Sequence, residues 1–106
     1  MKKLLLVAIF LMLMTDISQA GNYVRGVIAF EDNKCVIIYT TMGYTLGEKY
    51  SYQYMYEEDQ VVGDLHSYGF KDIYNMTRDN TFRIWIVNYF MSENRVVEEY
   101  YSHCKL

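Results

Sequence analysis

The first hydrophobic pattern along the chain is an unbroken apolar run at positions 4–14, preceded by Lys2 and Lys3 and followed by Ser18-Gln19-Ala20 before Gly21. A basic start, a short apolar stretch and a small-x-small site are the parts of a secretory leader. The run holds eleven residues, whereas a membrane-spanning helix needs about 20. The expected organisation is therefore a signal peptide over 1–20, cleaved after Ala20, and a single β-rich domain over 21–106. That domain is expected in the periplasm or outside the cell, with no stable membrane insertion, since no later stretch is long and apolar enough to span.

After Gly21 the pattern becomes that of strands. Positions 22–30 and 35–41 flank the polar stretch Glu31-Asp32-Asn33-Lys34, which predicts an antiparallel hairpin. Val36, Ile37, Ile38 and Tyr39 follow one another without a polar break, as in a strand covered on both faces. Positions 60–65, 70–74 and 81–91 read as further strands, the last the most apolar and expected at the centre of the sheet. Proline is absent, and Gly43, Gly47, Gly63 and Gly69 read as turn or bulge devices.

Two segments depart from this rhythm. Tyr50, Tyr52, Tyr54 and Tyr56 recur at every second residue with Ser51, Gln53 and Met55 between them. A period of two predicts a ladder of rings on one face of a strand, the other face mostly polar. Near the end the period lengthens: Ser92 is placed to cap a helix, Glu93 complements its positive end, and Val96, Val97, Tyr100, Tyr101 and Cys104 gather on one side. The expected fold is α+β: mainly antiparallel β-sheet, or a small open barrel of about 5–6 strands, with one C-terminal helix.

The two cysteines, Cys35 and Cys104, both fall after the leader. An even count in an oxidising compartment predicts one disulfide, tying the helix to the second strand. No C-x-x-C spacing supports a reactive thiol instead. Residues 21–106 carry 8 basic against 12 acidic residues, a formal charge of −4. Without a basic stripe to displace counterions, nucleic acid is not an expected partner.

Catalytic signatures are missing: the chain has no G-x-S-x-G elbow, H-E-x-x-H pair, phosphate-binding loop or dinucleotide fingerprint. A metal site from His66, Asp64 and Glu57-Glu58-Asp59 is conceivable across a hairpin, but the acidic run lacks the spacing of a calcium loop and reads as a solvated turn. No cofactor is expected, and the Asn75-Met76-Thr77 sequon reads as a chance occurrence. Tyrosine is the unusual residue, twelve in all. It offers a large rigid apolar area with a polar tip, which suits binding surfaces. The expectation is a non-catalytic exported module that binds a protein partner, inhibitor- or immunity-like, through Tyr50, Tyr52, Tyr54 and Tyr56. Glycan recognition by the same ladder is the alternative, a small hydrolase or metal-dependent enzyme a third, and a free edge strand would permit a homodimer.

Overall fold

The computed structural model describes residues 23–51 and 53–105; the leader and Tyr52 lie outside the described residues. Among the described residues six strands, β1 (Tyr23–Glu31), β2 (Cys35–Thr40), β3 (Gly43–Lys49), β4 (Gln60–Asp64), β5 (Gly69–Asn75) and β6 (Asn80–Met91), precede one helix, α1 (Glu93–His103). The strands form a closed antiparallel barrel in the order β1-β2-β3-β6-β5-β4. It consists of two meanders, β1-β2-β3 and β4-β5-β6, sewn together by the β1–β4 and β3–β6 seams. The expected small barrel with one terminal helix is what forms. Each of these strands pairs with two neighbours, so the edge pairing envisaged for a homodimer finds no free strand among the described residues.

Local chemistry sets the turns. Asp32 Oδ1 accepts the backbone N–H groups of Lys34 and Cys35 at 2.9 and 2.8 Å, which folds the β1–β2 hairpin without a glycine. The Asn75 side-chain oxygen does the same after β5, accepting from Thr77 and Arg78, both at 3.0 Å. Long strands serve both seams: β6 pairs with β5 through Ile86 and with β3 from Ile84 to Met91. This explains why the most apolar segment is also central, as expected.

Alternate residues point inward. Ile28, Val36, Ile38, Val61, Leu65, Ile73, Phe82, Ile84 and Ile86 fill the barrel, with Met55 from the β3–β4 connection. So many branched chains fit because Gly26, Gly47 and Gly63 also face this interior. Gly63 is thus a space-maker in mid-strand, not the turn or bulge device its sequence suggested, whereas Gly47 makes space at a shift of the β3–β6 register, in keeping with the bulge reading. A Cβ on Gly26 would lie 2.6 Å from Ile38 Cγ2 and 2.9 Å from the Tyr39 carbonyl oxygen. Since a backbone oxygen cannot step aside, Gly26→Ala is expected to cost about 2 kcal/mol in urea denaturation; an unchanged midpoint would show that the seam yields.

A second apolar cluster lies outside the barrel, under α1. Ser92 caps the helix, its hydroxyl accepting from Arg95 N–H at 3.2 Å. Val96, Tyr100 and Cys104 then bury against Cys35, Ile37, Leu46 and Met91. Cys35 and Cys104 form the expected disulfide, and the Tyr100 hydroxyl donates to the Asp32 carboxylate. That hydrogen bond, with some desolvation, pushes the Tyr100 phenol up to about 12. β2 is therefore covered on both faces, Val36 and Ile38 by the barrel core and Cys35 and Ile37 by the helix. Val97 and Tyr101, grouped with the buried side by their spacing, stay exposed, because only the narrow Val96–Tyr100–Cys104 line meets the wall. No helix among the described residues is long and apolar enough to cross a membrane.

Candidate functional site

α1 packs over β3 and β6 and is bonded to β2, leaving the outer wall of β5 and the first half of β6 bare. On that wall the outward residues pair across the hairpin: Phe70 with Trp85, Asp72 with Arg83, Tyr74 with Thr81. The Phe70 and Trp85 rings meet edge to face with centroids 4.8 Å apart. Tyr50 completes the series, its ring 4.8 Å from Phe70 and its backbone N–H donating to the Arg83 carbonyl at 2.9 Å. These rings remain 54% (Tyr50), 50% (Phe70) and 40% (Trp85) exposed. Arg83 grips Asp72 with two hydrogen bonds, at 2.9 and 3.2 Å, which holds the Asp72 carboxyl below its ordinary range. The guanidinium also lies 5.9 Å from the Phe70 ring centre.

A second group of rings gathers where β4 and β6 end and β5 begins. Tyr68 and Tyr89 lie 4.9 Å apart, Tyr89 and Phe90 4.9 Å, and His66 and Phe90 4.5 Å. Phe90 occupies left-handed backbone with φ 58°, where β3 and β6 shift register. Such a conformation costs a bulky residue about 1–3 kcal/mol, and here it serves to turn a half-exposed ring toward His66. The Thr40 hydroxyl has one proton, donated to the Gly43 carbonyl at 2.8 Å, so its contact with His66 Nε2 at 3.1 Å requires the imidazole to donate. Burial lowers the His66 pKa against the opposing pull of Asp64, which keeps this ring neutral near pH 7.

The described part of the tyrosine ladder is not a strand. Tyr50, Tyr54 and Tyr56 are exposed, but residues 50–51 and 53–59 run as a loop and the rings separate. Tyr50 joins Phe70, whereas Tyr54 and Tyr56 stack on each other at 6.3 Å, with the Arg78 guanidinium 4.4 Å over Tyr56. Tyr52 lies outside the described residues. The intervening face is not uniformly wet either, because Met55 enters the barrel core at 3% exposure. Sequence reasoning missed Phe70 and Trp85, although a signal existed: both lie symmetrically about the 76–79 turn, so placing that turn fixes them as cross-strand partners.

Two of the acidic residues weighed for a metal site are bound within the chain. Asp59 is buried and bound to Arg78 and Asn75, and Asp64 to Lys71 and Ser67. Among the described residues no group of three His, Cys, Asp or Glu side chains is arranged to hold a metal ion. Asn75 is fully buried with its amide donating to Asp59 at 2.9 Å, so the sequon is closed to modification in the folded chain. No protein-family model matches the chain, and no characterised protein or solved structure matches it either.

Proposed function

We propose that the chain is a small exported, non-catalytic binding module that docks a protein partner, in the manner of an inhibitor or immunity protein, through the aromatic wall of β5 and β6. The observation that carries this reading is the uncovered Tyr50–Phe70–Trp85 series. Contiguous exposed rings of this kind mark interaction surfaces more often than ordinary solvent-facing wall, and Trp and Tyr dominate the energetics of protein interfaces. The wall is also rigid, because its residues stand on paired strands of a closed barrel, and little ordering entropy is lost on contact. The Cys35–Cys104 bond accords with an oxidising compartment and hence with export.

The test is capture, under native non-reducing conditions, from the envelope and secreted fractions of the producing cell. The wild-type chain is expected to retain a specific protein, and Trp85→Ala and Phe70→Ala each to weaken that complex about 30-fold. Their melting temperatures should stay near wild type, since both rings are half exposed. Alanine proteins that bind as tightly as wild type would overturn the reading. Saturable binding to a sugar array that is lost in Trp85→Ala would replace the protein partner by a glycan.

A further inference from the structure

The outer wall carries one row across four strands: Cys35 opposite Glu48, Glu48 opposite Trp85, Trp85 opposite Phe70. Directly opposed residues of antiparallel strands project from the same face with Cβ atoms about 5 Å apart. The Glu48 carboxylate therefore emerges beside the Trp85 indole, with Phe70 and Tyr50 beyond it and the disulfide behind it. We propose that this row receives a cationic side chain, lysine or arginine, presented by a protein partner: the rings take its apolar stem and the face of its charge, and Glu48 takes the charge itself. The inference rests on the docking reading above and specifies the chemistry of what docks.

Charge placement supports it. Five of the eight basic side chains in residues 21–106 are held in ion pairs within the chain, Lys49 with Glu31, Lys71 with Asp64, Arg78 with Asp59, Arg83 with Asp72 and Arg95 with Glu99. Glu48 is not among these acids, and no basic side chain among the described residues lies within 4.0 Å of its carboxylate. Arg83, the cation nearest the rings, is neutralised by Asp72, so the pair adds no net charge and Glu48 sets the sign of the row. α1 adds to that sign. Its last residue before the bridge is His103, and the disulfide fixes Cys104 on Cys35, so the negative end of the helix dipole lies at the Glu48 side of the row. His103 faces Glu99 at 3.6 Å, and Lys105 is the one lysine or arginine at this helix end. An indole is the strongest cation-binding ring, and an adjacent carboxylate turns a general aromatic surface into one selective for positive charge. A second copy of the chain is a poor occupant, since residues 21–106 carry a net charge of −4 and two copies repel.

Trp85 is the only tryptophan, so its fluorescence reports the site directly. The probe is a short amidated peptide of arginine and leucine, with a control in which glutamate replaces arginine. The non-reduced protein is expected to show a saturable change in emission with the arginine peptide and none with the control. Glu48→Gln, which preserves shape, should weaken the arginine peptide about tenfold with an unchanged circular dichroism spectrum, and raising the salt toward 1 M should weaken wild type comparably. No saturable change with the arginine peptide, an equal response to the glutamate peptide, or undiminished binding in Glu48→Gln would each overturn the inference. The docking reading fails separately: partner capture lost in Trp85→Ala but untouched in Glu48→Gln would refute the cation and keep the wall.

Discussion

Replacing Cys35 and Cys104 together by alanine is expected to lower the free energy of unfolding by about 4 kcal/mol. The bridge closes 69 residues, from the start of β2 to the end of α1, so its removal releases the unfolded chain across most of the domain. Against the roughly 5–15 kcal/mol available to a domain, that loss brings the protein close to its threshold. The helix should respond first. α1 has 11 residues, too few to persist alone, and beyond the bridge it is held by Val96, Tyr100 and the hydrogen bond from Tyr100 to Asp32. Urea titration measures the global effect, and amide hydrogen exchange should show the Glu93–His103 amides losing protection before those of β6. A destabilisation below about 1 kcal/mol would mean that apolar contacts alone seat the helix, and that the bridge adds little beyond them.

That the disulfide could be foreseen while the bareness of the aromatic wall could not has a physical reason. Hairpin turns and helix caps are signalled locally, and a cysteine pair by count: Asp32 folds its own turn, Ser92 caps its own helix, and two cysteines have only each other. The β1–β4 and β3–β6 seams join residues far apart in sequence, and nothing at either strand records its distant neighbour, so closure of the barrel was legible only as a class. β6 shows the limit most clearly. Phe82, Ile84 and Ile86 line the core, while Trp85 and Val87 continue the apolar pattern on the outer face. An outward apolar residue is covered or bare according to where the helix lands: Val87 lies against the helix cluster and Trp85 beyond it. The tyrosine ladder failed differently. Its period was real, but Met55 had to enter the core and Asp59 to reach Asn75 and Arg78, and the loop that achieves both cannot also be a strand.

Asp59→Ala is expected to cost about 3 kcal/mol, more than an ordinary surface acid, because three donors lose one acceptor at once. Asp59 Oδ2 accepts from Asn75 Nδ2 at 2.9 Å and from Tyr56 N–H and Arg78 Nε at 3.0 Å. Its backbone carbonyl meanwhile accepts from Ile28, so one residue joins the loop before β4, β1 and the β5–β6 turn. The same contacts set a pH dependence. Burial pushes the Asp59 carboxyl up, but the bonds from Arg78, Asn75 and Tyr56 outweigh it and hold the group below its ordinary 3.8. Asp32 behaves alike, desolvation being overcome by Tyr100 and the turn N–H groups. Near that pH the unfolded chain binds protons that the folded chain refuses, so stability is present above the ordinary carboxyl range and is lost as pH falls through it. His66 adds an earlier loss: burial lowers its pKa from 6.5, the unfolded imidazole takes the proton first, and stability begins to fall below that pH. Tyr100 closes the other side, because the unfolded phenol ionises near 10 while the folded one holds its proton to about 12. The melting temperature should therefore be highest at about pH 7 to 9. His66→Gln should remove the shallow decline below 6.5, and Asp59→Ala should make the steep one near 4 shallower, leaving the share of Asp32. An Asp59→Ala protein whose melting temperature falls just as steeply near pH 4 as wild type would show that the Asn75–Arg78 cluster holds the loop without drawing on the carboxylate's charge.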